Sequence, residues 1–180
     1  MKNFFTSDYH LAHQNVIKYD NRPFKYAVGE MDEYIISLQN NTVGEKDNFY
    51  FLGDFCFDRR RTEWYLQRLK GNLFFIKGNH DKKDTIKLYQ KYGTYLGEQY
   101  SGLNINGTHI VLNHFAMSVW DRSHHGSWHL FGHSHGSYKP HGLSIDVGCM
   151  LHQYKPLEYE EIFDIMSTKM IEQLDHHKTR

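Results

Sequence analysis

Five short apolar runs in this 180-residue chain each end abruptly on a cluster of Asp, His, Asn and Gly. Residues 3–6 lead into Asp8-Tyr9-His10, residues 48–52 into Gly53-Asp54, and residues 73–76 into Gly78-Asn79-His80-Asp81. Residues 109–112 lead into Asn113-His114, and residues 129–131 into Gly132-His133-Ser134-His135. Brief apolar and aromatic runs bounded by such residues are strand signals, and residues 143–147 make a further one. Between them lie helical stripes: Met31, Tyr34, Ile35 and Leu38; Trp64, Tyr65, Arg68 and Leu69; Ile86, Leu88, Tyr89 and Tyr92. A last helix is expected from residue 157 to about residue 170, and Asn106-Gly107 signals a tight hairpin. The expected class is α/β with some antiparallel pairing. In open α/β sheets ligands sit beyond the carboxyl ends of strands, so five strand ends would deliver their polar residues to one rim.

Those polar residues suit metals. Histidine is abundant, 14 of 180 residues, and apart from His176-His177 most stand beside Asp, Asn or Gly. Oxygen donors mixed with imidazoles suit Mn, Fe, Co, Ni or Zn, and the absence of thiolates argues against a structural zinc. Asp8, His10, Asp54, Asn79, His114, His133 and His135 are too many for one ion and suit two, with one carboxylate bridging. Two ions about 3.5–4 Å apart can generate a hydroxide at neutral pH and clamp an in-line displacement, and phosphate esters suit such a site.

Composition closes off other classes. Lys and Arg total 21 against 21 Asp and Glu, and this zero balance weakens the case for a dedicated nucleic-acid binder. No apolar run approaches the ~18–20 residues of a membrane span. The opening residues hold no apolar stretch of the signal-peptide kind. Cys56 and Cys149 form neither a CxxC nor a disulfide framework. A cytoplasmic protein with one domain over residues 1–180 is the expectation. Cys56, set among aromatics, is expected to be a small buried apolar residue.

The ordered motifs Asp8-x-His10, Gly53-Asp54, Gly78-Asn79-His80-Asp81, His114 and Gly132-His133-x-His135 resemble those of calcineurin-like metallophosphoesterases. The segments Phe4-Phe5-Thr6-Ser7-Asp8 to His13-Gln14-Asn15 and Asn21-Arg22-Pro23-Phe24 resemble a small bacterial and phage branch of that family. The resemblance implies a four-layer α-β-β-α sandwich of two mixed sheets. It implies Asp8, His10 and His135 on a first metal, Asn79, His114 and His133 on a second, and Asp54 bridging. It also implies His80 contacting the phosphate and protonating the leaving oxygen after attack by a metal-bridging hydroxide. Manganese is the first choice of ion. Two departures stand out. The acidic residue after the bridging Asp is Asp58, four positions on, where it is either the partner of His80 or a loop carboxylate. His114 is followed by Phe115-Ala116-Met117 where many relatives carry Tyr-Pro.

Other residues are read both ways. His13 is a substrate contact or a polar packing residue; Arg22 and Arg59, with Arg60 and Arg61, are phosphate contacts or a solvated face. His124-His125-Gly126 reads as a loop near the entrance, and Asp146 as an orienting acceptor for His133 or His135. The expected function is hydrolysis of a small phosphodiester or phosphomonoester, with long nucleic acid disfavoured. The alternatives are a nuclease of the DNA-repair type and a non-catalytic protein-binding scaffold. A scaffold has no physical need for His80 and a full ligand set.

Overall fold

The computed structural model describes residues 1–25, 27–172 and 174; His176 and His177 lie outside them. The fold is α/β, with two mixed sheets of five and four strands. The first sheet has the order β4-β3-β2-β1-β9, built from β1 (Asn3–Thr6), β2 (Asn48–Phe51), β3 (Asn72–Ile76), β4 (Thr94–Gly97) and β9 (Leu157–Glu158). Strands β1 to β4 run parallel and β9 pairs antiparallel to β1. The second sheet has the order β5-β6-β7-β8, built from β5 (Gln99–Ile105), β6 (Thr108–Asn113), β7 (Trp128–Phe131) and β8 (Ser144–Asp146). β5 and β6 form an antiparallel hairpin, and the pairs β6–β7 and β7–β8 are parallel. Asn106 and Gly107 both take positive φ, 51° and 85°, as that two-residue turn requires.

Alternation along β1 separates the two cores. Phe4 faces a cluster with Phe49, Phe51 and Phe75 that also holds Met31, Ile35, Tyr65 and Tyr89. Those last four come from α2 (Val28–Thr42), α3 (Arg59–Leu66) and α4 (Lys83–Tyr92), which therefore cover one face of the first sheet. The α4 ring of Tyr89 stacks on Phe75 at 4.2 Å. Phe5, one residue on, points the other way, as a strand's period of two demands. It joins Tyr50, Leu52 and Ile76 against Leu103, Ile110, Leu112, Trp128 and Leu130 of the second sheet. Ile162 and Met166 of α5 (Tyr159–Ser167) close the edge of this inter-sheet core. On the far side of the second sheet, Trp120 lies 5.4 Å from the ring of His129, which is fully buried.

Several sequence expectations are corrected here. The last helix begins later than expected, because Leu157 and Glu158 pair with Phe5 and Phe4 as an edge strand. Glu158 then starts α5 through a capping box with Glu161. Trp64 does not join the buried stripe of α3; it is exposed, with the Arg68 guanidinium 4.3 Å over its ring. A short helix, α1 (Val16–Tyr19), and β4 carried too little periodicity to be read in advance. No helix among the described residues is long and apolar enough to cross a membrane.

Candidate metal centre

The carboxyl ends of β1, β2, β3, β6 and β7 meet at one rim, and their loops are locked to one another. Asp8 N–H donates to Gly53 O at 3.0 Å, His10 N–H to Asp54 O at 3.0 Å, and Gly132 N–H to His114 O at 3.0 Å. Such close approach excludes side chains: a Cβ on Gly78 would collide with Asp54 Oδ1, and one on Gly132 with Asp8 Oδ2. Asp8, His10, Asp54, His133 and His135 all take positive φ, from 47° to 65°. Non-glycine residues rarely adopt this conformation, and its repetition at one rim marks strain held for a purpose.

Two groups of side chains that could hold a metal ion result, Asp8 with His10 and His135, and Asp8 with Asp54 and His114. Within each, the ligating atoms lie within 4.8 Å of one another. In the first group His10 Nε2 and His135 Nε2 face each other at 3.3 Å, and each lies 3.7 and 3.6 Å from Asp8 Oδ1. Asp8 Oδ2 is occupied by Ser7 Oγ–H at 2.6 Å and His133 N–H at 2.9 Å. Asp8 Oδ1 is buried without a hydrogen-bond partner. An orphaned carboxylate oxygen facing two imidazole nitrogens is costly unless a cation sits among them. The donor set fits a divalent ion.

In the second group Asp54 Oδ2 lies 3.4 Å from His114 Nε2, and it also reaches to 3.8 Å from His10 Nε2. His114 Nδ1–H donates to Leu52 O at 2.7 Å, which aims Nε2 into the centre, 2.9 Å from Asn79 Oδ1. The His133 ring lies 5.2 Å from that of His114. Asp8 is common to both groups, and Asp54, which the resemblance implies as the bridging carboxylate, reaches a histidine of each through its single oxygen Oδ2.

The charges agree with this geometry. Burial alone would raise Asp8, but His10, His114 and His135 hold it far below the usual carboxylate range. Asp54 is likewise lowered despite burial, chiefly by His114. Burial would lower His114, yet the Asp54 hydrogen bond and the Asp8 charge raise it to about 9. The lowered carboxylates and the raised His114 both reflect a spot that favours positive charge, which cations would supply.

Around the centre, His80 N–H donates to Asp54 Oδ1 at 2.9 Å, and its Nε2 stands 3.9 Å from Asp54 Oδ2 at the open side of the rim. His13 stacks on Phe57 with centroids 4.1 Å apart, and burial with the neighbouring His10 and His80 lowers it to about 4. Asp58, read either as the partner of His80 or as a loop carboxylate, caps α3, accepting from Arg60 N–H at 3.0 Å. Three expectations are corrected. Arg22 does not face a substrate, because its guanidinium is buried and donates to Asp8 O at 3.0 Å and Tyr9 O at 2.9 Å. Asp146 touches neither imidazole directly; it accepts from Ser134 Oγ–H and, at 3.2 Å, from Gly136 N–H, and so braces the loop that carries them. His125 lies with Gly107, Thr108 and Trp128 at the starts of strands, the opposite end from the rim. Arg59 is exposed at the start of α3, and Cys56 is buried with its thiol pushed up to about 12.

Sequence reading missed two residues. Asp20 receives His135 Nδ1–H at 2.8 Å and the Arg22 guanidinium at 3.0 Å. Asp81, buried and raised to about 6 by that burial, accepts from Gly78 N–H at 2.8 Å and Asp54 N–H at 3.1 Å, fixing both loops. Its place directly after Asn79-His80 was the available signal for Asp81. Asp20 had only its nearness to Arg22.

No family model matches the chain. The uncharacterized protein MJ1445 of Methanocaldococcus jannaschii is 33% identical over 175 residues, which span 92% of this chain and 91% of that protein. The crystal structure of AQ665, a protein of unknown function from Aquifex aeolicus, has a TM-score of 0.71 and 22% identity, over 91% of this chain and 98% of that one. The second likeness is one of fold.

Proposed function

We propose, for a chain that belongs to one family with the uncharacterized protein MJ1445, the function of a dinuclear metal-dependent phosphoesterase. The observation that carries it is the buried, unpartnered Oδ1 of Asp8, a residue shared by two Asp/His groups at one rim. The order of strand-end motifs, similar to that of calcineurin-like metallophosphoesterases, supports the same reading. Asp8, His10 and His135 would hold one ion, and Asn79, His114 and His133 the other, with Asp54 between His10 and His114 as the second shared carboxylate. Two divalent ions, manganese first among them, would supply charge neutralisation and an activated water.

The chain's own residues do the rest. Asp20 and Leu52 O fix the tautomers of His135 and His114, so that Nε2 of each carries the lone pair. His80, on the open side of Asp54, holds a proton at Nε2 for the leaving oxygen. Asn79 and His80 meet the phosphate, with Arg59 and His13 as outer contacts. The test is hydrolysis of model mono- and diesters by protein stripped with chelator and reloaded with manganese. Activity that returns with metal supports the reading, and a fully loaded protein inert on every ester overturns it.

A further inference from the structure

One exposed aromatic ring beside the centre has no use in the chemistry above. Phe115 follows His114 directly and is 46% exposed. Its ring packs on His133 at 4.5 Å and on His114 at 5.1 Å, while its N–H donates to Asn113 Oδ1 at 2.8 Å. The ring is thus held by two imidazoles and stays half exposed. It borders a cleft of about 270 Å³ lined by Lys77, Gly78, Asn79, Glu98, Asn113 and Phe115, which reaches the centre through Asn79. An exposed Lys77–Glu98 ion pair and the Asn113 amide give this cleft a polar edge. His80 stands with His10 at 5.5 Å and Phe57 at 6.0 Å, whereas Phe115 stands with His114 and His133, so a leaving group protonated by His80 and a group lodged against Phe115 meet different histidines of the centre.

Resting on the phosphoesterase reading, we propose that this cleft binds a planar ring with a polar edge, a nucleobase, on the ester group that stays attached to phosphorus. The substrate is then a small phosphodiester. A monoester has no second organic group to fill the cleft, and a cleft of this size, below the ~300 Å³ of ordinary ligand pockets, takes about one ring system. A bare aryl group has no polar edge to set against the Lys77–Glu98 ion pair, whereas a base offers edge donors and acceptors along with a stacking face. Hydrolysis forms one P–O bond from water and breaks the P–O bond to the leaving group. One water proton ends on the leaving oxygen, and the ring-bearing product departs as a phosphomonoester.

The experiment compares two esters with the same p-nitrophenolate leaving group, thymidine 5′-(p-nitrophenyl phosphate) and methyl p-nitrophenyl phosphate. The kcat/KM ratio should favour the nucleoside ester by about tenfold or more, the scale of one stacked base. Phe115→Ala, and Phe115→Leu as a variant that keeps apolar volume, should bring the ratio close to one, while Phe115→Tyr should keep it. Calorimetric binding of thymidine 5′-monophosphate against methyl phosphate should show the same loss without turnover. Both esters hydrolysed with one ratio in wild type and in the Phe115 variants would overturn the cleft and leave the phosphoesterase standing. Base-dependent binding lost in Phe115→Ala, in a protein that hydrolyses neither ester, would keep the cleft and overturn the phosphoesterase.

Discussion

His135 Nδ1 donates to Asp20 Oδ2 at 2.8 Å across 115 residues of sequence, and that same oxygen receives Arg22 Nε at 3.1 Å and Nη2 at 3.0 Å. Arg22 in turn holds Asp8 O and Tyr9 O, so one guanidinium ties an imidazole partner to the β1 loop. The Asp20 carboxylate is lowered against its own burial by His135 and Arg22, so it is charged at neutral pH. Asp20→Asn keeps the shape and removes the charge. It should weaken metal binding at the Asp8, His10 and His135 group by about 10–100-fold, the usual cost of losing such an outer partner. Metal titration followed by calorimetry checks this; an unchanged isotherm would show that Asp20 only packs.

The two Asp/His groups share Asp8, and Asp54 reaches both His10 and His114. Elemental analysis should therefore find close to two ions per chain in the reloaded protein. Asp8→Asn and Asp54→Asn should each reduce both ions together, because each carboxylate serves both sides. A variant that loses one ion and keeps the other at full occupancy would assign that carboxylate to a single site.

His80 stands at the mouth with its side chain 45% exposed, outside both ligating groups. His80→Ala should retain its metals and lose roughly 10²–10⁴-fold in kcat on esters with poor leaving groups. Esters of acidic phenols should suffer far less, since their oxygen departs without a proton. Equal losses across a leaving-group series would remove the general-acid role.

Buried His129 gives a pH dependence of stability far from the centre. It is lowered to about 4, chiefly by burial, and sits between Val111 O at 3.2 Å and Met117 N–H at 3.1 Å as a neutral ring. The unfolded chain binds this proton near pH 6.5, so the folded state loses stability as pH falls from about 6.5 towards about 4 and gains nothing further above 6.5. The contribution is about 3 kcal/mol at most. In His129→Gln the difference between urea midpoints at pH 7 and pH 4.5 should shrink relative to wild type. An identical difference in both proteins would place the acid sensitivity elsewhere.

A small substrate held at the centre and by few charges should show weak salt dependence. Each Lys or Arg contact to a single strand would add about −0.7 to the log–log slope of binding against salt. With metals saturating, kcat/KM on model diesters should change little between low and physiological salt. Steep collapse on long DNA or RNA over that range would favour a nuclease.

Much of this molecule was legible because its signals are local. Strand period alone sends Phe4 to the helices and Phe5 to the second sheet, and Asn106-Gly107 can make its turn without help from the rest of the chain. A polar cluster directly after each apolar run also places Asp8, Asp54, Asn79, His114, His133 and His135 at strand ends whatever the sheet order. The edge strand Leu157–Glu158 was not legible, since only pairing with β1 makes two residues a strand.

Which of these groups touch depends on how the loops pack. Asp58 and Asp20 are both acidic residues near a predicted site, and nothing local tells them apart. Packing turned Asp58 to cap α3 and brought Asp20 under His135. Arg22 reads in sequence as a surface phosphate contact, yet the chain after α1 folds it under the loop that follows β1, where Asp8 O, Tyr9 O, Asp20 and the Met31 sulfur take its N–H groups. Residue type and strand period are properties of short segments, and they suffice to set the donors and the rim they occupy. The sharing of Asp8, the bracing by Asp81 and the half-exposed setting of Phe115 depend on distances between loops far apart in the chain, which are set when the sheets assemble.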